Sequence, residues 1–203
     1  MDLTNIDPAA WSAAIVALLT TIFTFFKWFL PFLRTWVKDA RRSKNQRLTE
    51  AGMKKYQDLY LSLQELEHHG VQRTIIFAGH NGGGIPKPGT PFYVSALHWL
   101  IDAQDRDSPN KLQNLPVDAA YISMLGDIMD NGTARIHTED MPPSQLRDIY
   151  VAGGVSDSLI VFLGNADNRL YYMSASLFKG SLTETQVTEI KLQANIVRNL
   201  IHG

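Results

Sequence analysis

The chain has no cysteine among its 203 residues. That absence excludes disulfides, thiolate catalysis, cysteine-held zinc and iron–sulfur clusters. It has no excess of either charge, with 19 Lys and Arg against 20 Asp and Glu, so no overall basic field marks it as a nucleic-acid binder. It has no low-complexity tract and no internal repeat, and 45% of its residues are apolar, which is enough for a core. Residues 8–26 contain no charged side chain at all.

That uncharged stretch organises the rest. Residues 9–33, AAWSAAIVALLTTIFTFFKWFLPFL, are apolar all round rather than along one stripe, and as a helix they span roughly the 30 Å of a bilayer core. A transmembrane helix is expected here. A cleaved leader would carry basic residues before the run and small residues after it, whereas Asp2 and Asp7 precede it and Arg34 follows. Trp11 at one end, with Trp28 and Trp36 at the other, suit the two headgroup belts, and Lys27 can reach the interface along its own stem. Pro31 is expected to end or kink the helix.

Charge orients the segment. Lys27, Arg34, Lys38, Arg41, Arg42, Lys44, Arg47, Lys54 and Lys55 face only Asp39 and Glu50 over the same stretch. The positive side of a membrane protein is cytoplasmic, so the expected topology is a short external N-terminus at 1–8, the spanning helix at 9–33, a basic linker at 34–47 and a cytoplasmic domain at 48–203. The basic cluster suits anionic lipid headgroups, and no nucleic acid is expected as a partner. Residues 41–47 read as a polar hinge.

The domain reads as α+β. A helix is expected over 48–69, with Met53, Tyr56, Leu59, Tyr60, Leu63 and Leu66 at helical spacing and Gly70 as its stop. Residues 71–79 form a strand, 80–91 a loop rich in glycine and proline, and 92–101 a second strand whose alternation puts His98 on the face of Val94 and Ala96. A surface connection at 102–116 leads to a helix over 117–130 that buries Tyr121, Met124, Leu125 and Ile128. A strand at 134–138 follows, then a helix opened by Pro142 and Pro143 and stopped by Gly153 and Gly154. Strands at 158–164 and 170–176 make a hairpin. A last helix to about residue 202 starts at a capping box of Ser181 and Glu184. An antiparallel sheet with helices on one face is the simplest arrangement.

The chemistry-bearing residues form no known catalytic motif. The loop Gly82-Gly83-Gly84 continues as Ile85, Pro86, Lys87 and Pro88, so no helix N-terminus follows to hold phosphate. The histidines His68, His69, His80, His98, His137 and His202 lack i, i+4 metal spacing, and no metal is expected. Gly154-Val155-Ser156-Asp157-Ser158 lacks the second glycine of a nucleophile elbow and precedes a strand instead of following one. Asp127, Asp130, Glu139 and Asp140 read as solvated or capping acids. A non-enzyme without cofactor is expected.

A ligand site is expected at the loop that begins with His80 and Asn81, which read a partner as donor and acceptor, while Gly82 and Gly83 let backbone N–H groups approach closely. Arg147 and Tyr150 from a later helix are expected beside it, and loops at strand ends commonly carry such sites.

The order of elements over 48–202, with His80-Asn81-Gly82-Gly83 after the first strand and Leu146-Arg147-Asp148-Ile149-Tyr150 before Gly153-Gly154-Val155, resembles a GAF domain. The resemblance implies an antiparallel sheet, a pocket on one sheet face roofed by internal helices, and terminal helices that pair in homodimers. The Asn-Lys, Phe and Asp-Glu set of cyclic-nucleotide-binding GAF domains has no counterpart here. No cysteine exists to attach a bilin or reduce methionine sulfoxide, so these activities are not carried over. No output domain follows within the sequence, which implies a separate protein partner. The expectation is a membrane-anchored sensory or partner-docking domain at the cytoplasmic face. The alternative is a structural or assembly component of a membrane complex, such as a virus-encoded one, with no ligand.

Overall fold

The structure is a computed structural model that describes residues 8–81, 89–101 and 111–203. Two units divide the chain, Met1–Lys54 and Lys55–Gly203. One long helix, α1, runs Pro8–His68. Within the first unit it presents Ile15, Val16, Leu18, Leu19, Ile22, Phe23, Phe25, Phe26, Phe29 and Leu30 as exposed apolar side chains. Thr20, Thr21 and Thr24 donate their hydroxyls to the carbonyls of Val16, Ala17 and Thr20, so these hydroxyl protons need no solvent.

Among the described residues, no helix is long and apolar enough to cross a membrane. The segment 9–33 expected to span a membrane is helical as part of α1 but falls short of that measure. Pro31 does not end the helix, and residues 41–47 are helical rather than a hinge. Arg, Lys and Gln are strong helix formers, so charge alone gives no reason to stop. A single proline removes one hydrogen bond from a helix without ending it. Of the expected interface residues, Lys27 and Arg34 are exposed. The side chains of Trp11, Trp28, Trp36, Lys38, Arg41 and Arg42 lie outside the described residues.

The second unit is a six-stranded antiparallel sheet of order β3-β2-β1-β6-β5-β4. Its strands are β1 (Arg73–His80), β2 (Tyr93–Ile101), β3 (Leu115–Pro116), β4 (Thr133–His137), β5 (Asp157–Ala166) and β6 (Arg169–Leu177). The helices are α2 (Ala119–Asn131), α3 (Gln145–Ala152) and α4 (Glu184–His202), with a short 3₁₀ turn at Thr138–Asp140. Strands such as RTIIFAGH are apolar on both sides and buried almost throughout. That pattern needs cover on both faces of the sheet, and both are covered. On one face, Leu59, Leu63 and Leu66 of α1 and Ile190, Ala194 and Val197 of α4 pack on Ile76, Val161 and Met173. On the other, Tyr121, Leu125 and Ile128 of α2 and Leu146 and Tyr150 of α3 pack on Ile75, Phe77, Ile160 and Tyr172. The expectation of helices on one face alone is corrected by this second layer.

Local chemistry sets the ends of these elements. Asp118 caps α2, and Gly132 closes it at φ 77°. Ser144 caps α3, so Pro142 and Pro143 precede the helix and do not open it. The capping box of α4 is Thr183 with Gln186, two residues beyond the expected pair, because Thr183 is the last extended residue. The β5–β6 strands pair up to Ala166 and Arg169, leaving Asp167 and Asn168 at positive φ as a two-residue turn.

Register corrects one face assignment. Ile76 pairs with His98 and Phe77 with Ala96, so Leu97 is an extra residue that reverses the alternation of β2. His98 thereby joins the α1 face, where its ring meets Tyr56 at 5.4 Å and Tyr60 at 6.1 Å. Met53, Tyr56 and Tyr60 remain exposed, unlike the rest of the expected α1 stripe.

Candidate functional site

The expected ligand residues separate into two groups. His80 ends β1, and its Nε2 lies 2.9 Å from Ser95 Oγ, which also accepts the Asn114 N–H at 2.9 Å. Burial, and then the charge of Arg169, hold the His80 imidazole below its ordinary pKa. Asn81 is half-buried beside it. Gly82 and Gly83 lie outside the described residues. Arg147 and Tyr150 sit instead on α3, at the other end of the sheet. Tyr150 packs against Arg73, whose guanidinium carbon is 6.0 Å from the ring centroid. His80 and Arg73 close the two ends of β1, roughly 23 Å apart at about 3.3 Å per residue. The structure thus does not bring His80 and Asn81 together with Arg147 and Tyr150. The linear order hides this, because β1 carries its two ends to opposite edges of the domain.

The sheet face beneath α2 and α3 is occupied by the chain's own side chains. Phe77 stacks on Tyr172 at 5.1 Å, and the Tyr121 and Tyr172 hydroxyls lie 2.6 Å apart, both rings buried. Burial pushes both phenols above the ordinary tyrosine range, so the pair is neutral. Further along this face Ser158 Oγ lies 3.0 Å from Ser174 Oγ and 2.9 Å from Ser176 Oγ, and Arg73 pairs in register with Ser176. These buried hydroxyls satisfy one another.

The described residues do form a cleft of about 450 Å³, at the Arg147 end of the domain. It is lined by His137 at the end of β4, Thr138 and Glu139 of the 3₁₀ turn, Arg147 and Val151 of α3, Val155 and Ser156 before β5, and Gly180 and Ser181 before α4. Thr138 is 8% exposed, yet among the described residues its Oγ1 has no hydrogen-bond partner, and neither has the buried Nε of Arg147. Ser156 donates its hydroxyl to the Gly180 carbonyl at 2.8 Å. His137 is held by Asp157, Nδ1 to Oδ1 3.4 Å.

Asp157 braces this end of the sheet. It is fully buried, accepts from Arg135 Nη2 at 2.7 Å and from the Leu182 N–H at 2.7 Å. Burial alone would raise its pKa, but those hydrogen bonds and the charges of Arg135 and His137 hold the carboxyl below its usual range.

Of the cleft, sequence reasoning had singled out Arg147 alone for a ligand. Glu139 reads in sequence as a solvated acid, Ser156 as part of a failed elbow, and Thr138 carries no motif. No linear signal joins them, because β4, α3 and the segment between β6 and α4 meet only through the fold. Glu65, His69 and Glu189 also converge, with one donor atom from each within 4.8 Å of the others. His69 and Glu65 are already 3.4 Å apart and Glu189 accepts from Gln193 at 2.7 Å, so each of the three has a protein partner.

No family model matches this chain, and no curated protein matches it. Solved structures do resemble it. The far-red absorbing dark state of a protein with bound biliverdin IXa aligns at TM-score 0.50 and 11% identity, over 74% of this chain and 97% of that one. The GAF domain of a two-component sensor histidine kinase from Bacillus halodurans aligns at 0.49 and 8%, over 73% and 92%. The phycocyanobilin-bound GAF domain from a cyanobacterial phytochrome aligns at 0.48 and 11%, over 72% and 93%. At these identities the likeness is one of fold alone.

Proposed function

We propose that this chain is a membrane-anchored, non-enzymatic GAF-like domain that senses a small molecule or docks a partner protein at the cytoplasmic face. The observation that carries the sensory reading is the cleft of about 450 Å³, whose lining includes Arg147, Glu139 and Thr138. Small-molecule sites are concave, of this size, and fixed by a few polar groups. A solved structure of similar fold holds biliverdin IXa, a precedent for a small molecule on this fold. A covalent bilin is a poor candidate here, since the chain has no cysteine and the face beneath α2 and α3 is filled by Phe77, Tyr121 and Tyr172.

Membrane attachment is supported by two features of the first unit. Ile15, Leu18, Leu19, Ile22, Phe23 and Phe26 are exposed together, and an exposed apolar surface of this kind marks a membrane or interaction site. The basic residues that follow favour an anionic surface. Protease added outside intact cells should spare the domain, and digestion there would contradict the cytoplasmic orientation.

The closed sheet face favours a second reading, a structural or assembly component of a membrane complex that binds no ligand. Native mass spectrometry of the detergent-purified full-length chain separates the two. A small-molecule adduct supports sensing, and a large ordered oligomer without one supports assembly.

A further inference from the structure

We infer that the cleft between α3 and the 3₁₀ turn takes a free α-amino acid with an apolar side chain, its carboxylate toward Arg147 and Thr138 and its ammonium toward Glu139. This rests on the sensory reading in one respect, that a small molecule is bound at all.

Buried polar atoms in folded proteins nearly always find a partner, and exceptions call for an explanation such as an absent ligand. Among the described residues Thr138 Oγ1 and Arg147 Nε are two such exceptions, and both residues belong to the lining of one cleft. Both can donate, and a guanidinium fork matches a planar carboxylate with two parallel hydrogen bonds. Of the remaining polar wall, His137 faces Asp157 and Ser156 donates to the Gly180 carbonyl, while Ser181 is exposed.

Glu139 distinguishes a zwitterion from a simple anion. It lines the same cleft and is exposed at its rim, and among the described residues it forms no salt bridge with Arg147. A carboxylate only accepts, so it repels a bare anion and favours a ligand that offers N⁺–H at a short distance from its own carboxylate. Two opposite charges in one cleft, neither neutralising the other, complement an ammonium and a carboxylate on one small molecule. Val151 and Val155 supply an apolar wall for its side chain. A volume of about 450 Å³ admits any free amino acid.

The test is thermal unfolding of the full-length chain in detergent with each L-amino acid in turn at millimolar concentration, beside its N-acetyl and C-amide derivatives and inorganic phosphate. At least one apolar amino acid should raise the Tm, and both blocked derivatives should bind at least about tenfold more weakly, as loss of a charge-assisted hydrogen bond requires. Glu139→Gln, at an exposed position, and Arg147→Met should each weaken that binding by about tenfold or more. The inference is overturned if no amino acid raises the Tm, if the N-acetyl derivative or phosphate binds as well as the free amino acid, or if either variant binds like the wild type. A native mass spectrum carrying a small molecule of another class would overturn it too, while leaving the sensory reading in place.

Discussion

Asp157 and Arg135 form an asymmetric pair, 2.7 Å apart, in which the carboxylate is fully buried while the arginine side chain keeps 31% of its surface exposed. The asymmetry predicts unequal mutants. Arg135→Ala strands a buried charge that retains only the Leu182 N–H and His137, and should cost about 3–5 kcal/mol. Asp157→Asn leaves an arginine that can turn to water, and should cost about 1–3 kcal/mol. Urea unfolding of both variants checks the order, which the reverse ranking would contradict.

The tyrosine pair beneath α2 makes a double-mutant prediction. With the Tyr121 and Tyr172 hydroxyls 2.6 Å apart and buried, either single change to Phe leaves one hydroxyl unpaired and should cost about 1–3 kcal/mol. Removing both hydroxyls should cost less than the sum of the single changes, with a coupling of about 0.5–3 kcal/mol. Strict additivity of the melting data would mean that the hydroxyls do not pair.

Adjacent glycines after α3 should differ in why they resist alanine. A Cβ at Gly153 would lie 2.7 Å from Arg73 Nη1 and 3.3 Å from the Ile149 carbonyl, so Gly153→Ala should displace the buried arginine at about 1–3 kcal/mol. Gly154 has open space but φ +64°, so Gly154→Ala should cost about 1 kcal/mol from backbone conformation alone. Shortening Arg73 to Met should relieve the first penalty and leave the second. A Gly153→Ala variant that stays equally destabilised beside Met at 73 would contradict the contact.

Acid should weaken the domain in two stages. Burial lowers the pKa of His98, and burial with the Arg169 charge lowers that of His80, so below about pH 6.5 the unfolded chain binds protons that the folded one does not. Their contribution is complete above the unfolded value and is lost as pH falls through the folded one. Asp157, depressed from the ordinary carboxylate value, adds a second loss at lower pH. His98→Gln should flatten the first stage, measured as Tm against pH, and an unchanged profile would exclude His98 from it.

The helical and sheet elements were legible where periodicity was strong. The stripe of Tyr121, Met124, Leu125 and Ile128 follows from side-chain spacing, and the hairpin from two apolar runs about residues 165–168, of which Asp167 and Asn168 alone form the turn because β5 and β6 pair on to Ala166 and Arg169. His98 was misassigned because Leu97 adds one residue to β2, and a bulge leaves no mark in composition. The short strand β3 has only two residues, Leu115 and Pro116, too few to show a pattern. The cleft was illegible for a different reason. Thr138, Arg147, Ser156 and Ser181 come from four segments that only the sheet order brings together. Arg147 and His80 both attract attention in sequence, yet β1 separates their surroundings by its own length.

The central claim, that this is an anchored GAF-like domain holding a small molecule, is tested most directly by native mass spectrometry of the full-length chain released from detergent micelles. The account predicts a protein peak with a noncovalent small-molecule adduct that Arg147→Met removes. A wild-type spectrum of large oligomers with no adduct, unchanged by Arg147→Met, would contradict it.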